Sequence, residues 1–475
     1  MAWGWVRKMK ARRRFGLGCW LRDQQADQGA NDVPDVSVWR AMAGLDDRTV
    51  IERVAFEEGR PGRTERVVLH VRPSRRKGEH DRCGRCGRRS PGYDGGRRRE
   101  WRSVDCGLTQ MWLAADAPRV RCAEHGVTVA RVPWARHGAG HTLVFDAQVA
   151  WLAVRTSKST VRELLRIAWK TVGSVIDRVW ADISAEIDLL DGVRKIGIDE
   201  VSYKKNHRYL TIVVDHDTGR VIWAAPGLGA ATLSTFFDEL GPERTAALTH
   251  VSADAAHWIA STVTQRAPQA ILCADPFHIV AWATDAIDTV RRQEWRALKA
   301  LADTERAEQD RRVGRPTADD PKPETPRQDL AREFKNARYS LLKNPDNLTQ
   351  DQSLTLKWIT ASSPRLHEAY AFKEKLRIVF QARGKQGKRI LDAWIKEAGR
   401  STLEPIQKLC KSVVRIRASI EASLEHGLSQ GLIESTNTKI RLFTRMAFGF
   451  HTPQALIALV MLNLGGPTLT LPGRT

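Results

Sequence analysis

Two groups of residues in this chain have types and spacings suited to chemistry, a set of carboxylates and a set of thiols. Asp199 closes an apolar run containing Ile196 and Ile198 and is followed by Glu200. Asp254 closes a second run, ALTHVSAD, just ahead of a stretch with helical periodicity. Glu434 lies in GLIESTNTKIR, at the predicted start of a helix. The carboxyl end of a strand is where α/β sheets bind their ligands, and two adjacent parallel strands would bring Asp199 and Asp254 together. A lone carboxylate is ordinarily a surface group or a helix cap. Two at strand ends, with a Glu on a later helix, instead form the oxygen donor set that hard divalent cations such as magnesium take. Two such ions can activate an attacking water or 3′-hydroxyl and stabilise the leaving oxygen of an in-line phosphoryl transfer, with no nucleophilic side chain required. Asp275, in ILCADPFHIV, also ends a strand-like run and competes for the second position, with His278 close behind it.

The thiols point to a different metal. Cys83 and Cys86 form a Cys-x-x-Cys pair, and Cys122 and His125 a Cys-x-x-His pair. Four nitrogen and sulfur ligands in two close pairs are what tetrahedral zinc needs, and Gly84, Gly87 and Gly126 allow the tight turns. Cys106 is a spare that could replace His125. The chain has seven cysteines, an odd number unevenly spaced, which argues against a disulfide framework. Arg97, Arg98, Arg99 and Arg102, beside the pairs, are candidate phosphate contacts, which orient a module on DNA without reading its sequence.

These residues need elements to position them. Residues 1–36 read as a basic, polar tail, with ordered structure starting near Val38. RTVIERVAFEE and TERVVLHV alternate as strands do, and REWRSVD and QMWLAAD suggest further strands of a zinc-ribbon-like module. Residues 144–188 hold three apolar-periodic stretches with short breaks, Ser157 to Thr160 supplying cap chemistry for the second and Thr171 for the third. Three short helices with tight turns suit a helix-turn-helix, with Lys170, Thr171 and Ser174 offered to the major groove. Residues 194–280 read as β-β-β-α-β-α-β, with DHDTGR as a hairpin turn. That is the ribonuclease-H-like order, in which the second catalytic Asp follows the fourth strand; counting from Ile196 selects Asp254 and leaves Asp275 and His278 beside it. Residues 281–425 are helical and basic, broken by a Pro-containing linker at 312–328. Trp295, Trp358 and Trp394 in this insert are either core or a stacking platform for a flipped base.

The expected architecture is therefore multidomain α/β. A basic tail (1–36) precedes a β and zinc-binding domain (37–140) and a helix-turn-helix domain (141–190). A ribonuclease-H-like core (191–280 and 426–465) follows, interrupted by a large α-helical insertion (281–425). Lys and Arg total 76 against 55 Asp and Glu, a formal charge of +21 in 475 residues. Such an excess favours a polyanionic partner, because each neutralised phosphate releases condensed counterions. No apolar run approaches the roughly 20 residues of a membrane span, and the basic N-terminus lacks the apolar stretch of a secretory signal. A soluble, cytoplasmic and nucleoid-associated protein is expected.

GIDE at 197–200, VSAD at 251–254, ADPFH at 274–278 and the GLIESTNTKIR segment running on to GF at 449–450 closely resemble the ISL-three family of insertion-sequence transposases. The family often shows DRFH where this chain has Asp275, Pro276, Phe277 and His278. The resemblance runs from about Val38 to Gly465. It implies a DDE transposase that excises an insertion sequence and joins its 3′ ends to target DNA, with Asp199, Asp254 and Glu434 as the triad. It also implies an N-terminal zinc segment, recognition of terminal inverted repeats, and a dimer or larger assembly on DNA. In other transposases the helical insertion shields the cleaved end. The alternatives are a DNA-binding regulator that no longer cuts, a nuclease for branched DNA, and a non-enzymatic RNA-binding protein.

Overall fold

The computed structural model describes residues 35–57, 65–204, 208–313, 326–428, 431–447, 449–450 and 452–474. The tail expected at 1–36 lies almost wholly outside the described residues, as do residues 314–325 of the linker expected at 312–328. Two compact units divide the chain, one ending at Gln148 and joined by the residues from Leu471 on, the other running from Val149 to Thr470.

The first unit opens with α1 (Val36–Met42), whose N-cap Asp35 accepts a hydrogen bond from the Ser37 N–H. Strands β1 (Thr49–Glu57), β2 (Arg66–Pro73), β3 (Gly92–Arg102) and β4 (Gln110–Cys122) form a sheet in the order β1-β2-β4-β3, with β5 (Gly126–Val129) also on β4. β2 and β4 are parallel and the other pairs antiparallel. Alternation along β2 and β4 turns Val67, Leu69, Val71, Met111 and Leu113 into the core beneath Trp101 and Trp134.

Helices α2 (Leu143–Ala153), α3 (Lys158–Leu165) and α4 (Trp169–Glu186) match the three predicted stretches, α2 spanning the boundary between the units. Ser157 caps α3 as expected, its hydroxyl accepting from the Thr160 N–H at 3.1 Å. The expected cap at Thr171 is corrected. Helical geometry already starts at Trp169, the Thr171 N–H bonds the Ala168 carbonyl at 2.9 Å, and Ala168 stands at the N-cap without a side-chain bond.

The second sheet follows. It comprises β6 (Lys195–Lys204), β7 (Arg208–Asp215) and β8 (Val221–Pro226), then β9 (His250–Ala253) and β10 (Ile271–Ala274), in the order β10-β9-β6-β7-β8. The first three strands form an antiparallel meander, whereas β9 and β10 join β6 in parallel. Parallel pairing needs crossovers; α5 (Ala230–Leu240) with the short α6 (Pro242–Ala247) supplies one, and α7 (His257–Arg266) the other. The turn after β7 is tied by the Asp215 carboxylate, which accepts from the Asp217 and Thr218 N–H groups at 3.1 and 3.2 Å. Ile196, Ile198 and Val251 pack with Phe236, Phe237, Ile259 and Val263 as the core.

Helix α8 (Pro276–Val313) starts directly after β10 and opens a helical body. This comprises α9 (Pro326–Asn336), α10 (Arg338–Leu342), α11 (Gln350–Ser362), α12 (Pro364–Ala382), α13 (Gly384–Ala398), α14 (Glu404–Arg415) and α15 (Arg417–His426). Its core includes Ile287, Phe334, Leu376, Trp394 and Ile406. Two last helices return to the sheet, α16 (Gly431–Met446) against β6 and α17 (Pro453–Leu464) between α4 and β8. Gly197 explains how closely α16 approaches, because a Cβ there would lie 2.1 Å from Ile433 Cδ1. Among the described residues no helix is long and apolar enough to cross a membrane.

Candidate active site and metal centre

Strand register brings the acids to one edge. Ile198 pairs with Ala253 across β6 and β9, and Ala253 with Ala274 across β9 and β10. The next residues, Asp199, Asp254 and Asp275, therefore stand level at the carboxyl ends of three neighbouring parallel strands, spaced about 4.8 Å apart. The Asp275 N–H binds the Ala253 carbonyl at 3.0 Å and extends the ladder to that level. His278, in the first turns of α8, bridges two of the acids, Nδ1 lying 3.5 Å from Asp254 and Nε2 3.5 Å from Asp275.

Helix α16 closes the site from one side. Its buried Asn437 donates to Asp199 Oδ2 at 2.5 Å, and Glu434, one turn earlier, shares that face. Glu434 also lines a cavity together with Asp275. The carboxylates are thus gathered by three strands and two helices, although their oxygens are not drawn into a tight ligand cluster.

The electrostatics carry a surplus of negative charge. Burial raises the Asp199 carboxyl above its ordinary range, opposed by the N–H of Glu200, while the charge of Asp254 adds to the rise. Burial pushes Asp275 up to about 6, with the charges of Glu434 and Asp199 contributing. Glu200 rises to about 7, mainly through burial and then through Asp199 and Asp254. Its Oε1 and the Asn437 Oδ1 are buried without a hydrogen-bond partner among the described residues. Acceptor oxygens with unfilled lone pairs, crowded with like charges that raise one another's pKa, are what a divalent cation relieves.

The thiols form a second centre in the first unit. One ligand atom from each of Cys83, Cys86, Cys122 and His125 lies within 4.8 Å of all the others. Cys86 Sγ to Cys122 Sγ is 3.7 Å, Cys122 Sγ to His125 Nδ1 3.7 Å and Cys83 Sγ to His125 Nδ1 3.8 Å. Zinc–thiolate bonds of about 2.3 Å in a tetrahedron require edges of about 3.8 Å, so the donor set fits that ion. The Cys122 thiol is held down to about 6, chiefly by the backbone N–H and side chain of His125, which favours the ligating thiolate. Gly87 and Gly126, at φ 71° and 66°, make the two turns that a side chain would strain.

Comparison with known proteins agrees with this order of parts. Residues 79–125 match the zinc-finger of the transposases IS204, IS1001, IS1096 and IS1165. Residues 130–180 match the helix-turn-helix domain of transposase family ISL3, and residues 196–460 match that family's DDE transposase domain. The chain belongs to the ISL3 family of insertion-sequence transposases. It is 56% identical over 441 residues to the transposase for insertion sequence element IS1557 of Mycobacterium tuberculosis, covering 93% of this chain and 98% of that relative. The transposase for IS1001 of Bordetella parapertussis is 24% identical over 404 residues, covering 84% of this chain and 91% of the relative. This transposase is therefore a multidomain α/β enzyme acting on DNA, with zinc-ribbon, helix-turn-helix and DDE domains in that order.

Several expected residues stand elsewhere than their sequence context suggested. Arg102 is corrected as a phosphate contact. It is 3% exposed, and its guanidinium binds Asp105 and the carbonyls of Ser103 and Met111. Arg97 and Arg98 are exposed and Arg99 half-buried, with Arg98 bonded to His70. Lys170 and Ser174 are exposed and Thr171 half-buried at the start of α4. Cys106 lies in a turn outside the zinc cluster and is no substitute for His125. Of the two readings open for Trp394 the structure selects core, since it is 1% exposed and donates Nε1–H to the Phe372 carbonyl at 2.9 Å. Sequence reasoning missed Asn437 and the role of Gly197. A lone glycine inside an apolar strand was the available signal, because it often marks a close approach of another element.

Proposed function

We propose that the transposase cuts and joins DNA at a ribonuclease-H-like metal site built on Asp199, Asp254 and Glu434. The single observation that carries this reading is the common register of Asp199 and Asp254, with Asn437 bonding the Glu434 helix to Asp199. The sheet order supports the fold, an antiparallel meander extended by two parallel strands through helical crossovers. The three carboxylates would hold two magnesium or manganese ions, which supply a lowered pKa to an attacking water or 3′-hydroxyl and charge stabilisation to the leaving oxygen. Asn437 orients the Asp199 carboxylate, and α16, seated on Gly197, holds Glu434 against the strand ends. His278 lies between Asp254 and Asp275 and fixes their rotamers, with Asp275 as a supporting group.

The Cys83, Cys86, Cys122 and His125 set holds one structural zinc. Arg97, Arg98 and Arg99 contact phosphates, and Lys170, Thr171 and Ser174 at the start of α4 read the terminal inverted repeats. The domains follow the boundaries 37–140, 141–190, 191–280 with 426–465, and 281–425. Two transposon ends are synapsed by a dimer or larger assembly before the 3′ ends are joined to target DNA.

A labelled duplex carrying the element's terminal repeat tests the site. Wild type, Asp254→Asn and Asp275→Asn are compared with magnesium, with manganese and with chelator. Metal-dependent nicking at the end should be lost, about a thousandfold or more, in Asp254→Asn and retained in Asp275→Asn. The reverse pattern would move the site to Asp275, and specific binding without cutting by wild type would leave only DNA recognition.

A further inference from the structure

We propose that Arg53, His70 and Arg98 together hold one phosphate oxyanion on the outer face of the first unit's sheet, an inference that rests on the phosphate role given to Arg98 above. The three residues come from three strands. Arg53 on β1 stands directly opposite His70 on β2, just after a bulge that sets Glu52 outside the pairing. His70 in turn pairs with Ala114 on β4, and Ala114 with Glu100 on β3. The methyl group of Ala114 is too short to fill that row. It leaves a hollow between β2 and β3, across which Arg98 reaches His70. The hollow belongs to a cavity of about 610 Å³ whose walls include Arg72, Arg75 and Arg131.

The contacts at His70 do not balance. Arg53 Nη2 lies 2.9 Å from its Nε2, and Arg98 Nη2 stands against its Nδ1. A neutral imidazole carries hydrogen on one ring nitrogen and accepts only at the other, whereas a guanidinium has donors alone. His70 therefore satisfies one arginine and turns an N–H towards the other. Neither arginine forms an ion pair among the described residues. The nearby carboxylates are already engaged, Glu52 by Arg72 at 2.8 Å, and Glu57 and Glu100 by Arg66 at 2.7 Å. Asp116 stands opposite Arg98 in the register of β3 and β4, yet the guanidinium goes to His70.

An oxyanion resolves this conflict. Its acceptor oxygens can take N–H groups from both guanidiniums, the pairing in which arginine and phosphate are matched, and from His70 once the ring is protonated. Burial and the charges of Arg53 and Arg98 hold the His70 pKa below its ordinary value, with Glu57 and Glu52 opposing. An anion between the two arginines offsets their charge and raises it, so the anion and the ring proton favour each other. The other titratable groups of the cavity are Asp116 on β4 and Glu79, His80 and Asp81 in the loop after β2, set against Arg75 and Arg131.

The test uses the zinc-loaded full chain with carbon-13 in its histidines, the His70 resonance being assigned from its loss in His70→Gln. Sulfate, but not chloride at equal ionic strength, should raise the pH midpoint of that resonance by about one unit, which corresponds to about tenfold tighter binding to the protonated ring. A duplex carrying the terminal repeat should do the same. Arg53→Gln, altered at an exposed side chain, should cancel both shifts and lower the salt slope of duplex binding by about one unit. His70→Gln should lose the several-fold tighter duplex binding that wild type shows at about pH 6 over about pH 8. Zinc content equal to wild type verifies that each variant keeps its first unit folded. A sulfate shift without a duplex shift would keep the site and assign it to a free phosphate ligand. The absence of a shift specific to sulfate would overturn the proposal, as would a shift seen only in Asp116→Asn, since Asp116 would then hold Arg98. If Arg98→Ala still lowered the salt slope after such a failure, the phosphate role of Arg98 would stand without the shared site.

Discussion

At the scale of single residues, the site is as much a matter of small and neutral groups as of acids. Gly197 admits Ile433 to the surface of β6, and Asn437 reaches Asp199 only because the helix lies that close. Asn437→Ala should therefore lower the nicking rate about 10- to 100-fold, as losing an orienting partner of a metal ligand typically does, while terminal-repeat affinity stays unchanged. Equal nicking by variant and wild type would remove Asn437 from the site. Gly197→Val should act more severely. It presses on a fully buried Ile433 and costs about 1–3 kcal/mol in overpacking, readable as a lower urea midpoint together with lost cutting. The sequence made Asp199, Asp254 and Asp275 legible as strand ends, because an acidic residue closing an apolar run has few other positions to occupy. Counting strands from Ile196 ranked Asp254 above Asp275, whereas the register by itself does not separate them, since the two stand at the same level on adjacent strands. Asn437 was illegible for another reason: which face of α16 meets the sheet depends on tertiary packing.

At the scale of elements, the helix-turn-helix holds a buried charge that its amphipathic pattern concealed. Lys158, on α3, is 3% exposed, with Nζ 3.8 Å from the Trp169 ring centroid and 5.0 Å from that of Phe450. Burial lowers its pKa to about 8, and only the more distant attraction of Asp177 opposes the shift. The folded pKa is below the ordinary 10.5, so the unfolded chain binds the proton more strongly between pH 8 and 10.5. The penalty is fully present below pH 8 and fades as pH rises towards 10.5. Lys158→Met should accordingly stabilise the fold at pH 7 by about 1–2 kcal/mol after loss of the cation–π contact, with the gain shrinking in urea titrations above pH 9. A destabilised variant at pH 7 would mean that the aromatic contacts outweigh desolvation. The zinc knuckle makes a different demand, because its core beyond the ligands is little more than Val120 and Ala130. Cys122→Ser should lose one equivalent of zinc by elemental analysis and open residues 79–91 and 122–130 to protease, while β1, β2 and the Trp101 end of β3 stay protected in their own core. Retention of the metal would reassign the ligands. The knuckle was readable because ligand spacing is local, and the capping of α4 was not, because Ala168 gives no side-chain signal.

At the scale of the whole molecule, the element order was legible from alternating periodicity, but the contribution of the C-terminal helix was not. α17 is apolar nearly all round, which reads from sequence only as a buried helix. It packs on α4 and β8, and Asn463 donates to the Val154 carbonyl at 2.9 Å, joining the helix-turn-helix to the catalytic sheet within the second unit. The remaining whole-molecule property is charge. The excess of basic residues gives +21 overall, and the carboxylates form a concentrated negative spot within it. Binding dominated by phosphate neutralisation loses about 10³- to 10⁵-fold in affinity between 50 and 200 mM salt when six to ten phosphates are contacted. Filter binding of the terminal-repeat duplex should show a loss in that range, with Arg97→Ala and Arg98→Ala each lowering the salt slope by about one unit. Lys170→Ala should instead reduce the preference for the repeat over random duplex, because a residue in the major groove carries sequence information that phosphate contacts lack. A salt slope near zero would mean that the positive charge is spent on internal ion pairs rather than on DNA. A slope unchanged in the β3 variants would assign the phosphate contacts to the basic faces of the helical body instead, where Lys385 and Arg389 of α13 form no ion pairs among the described residues.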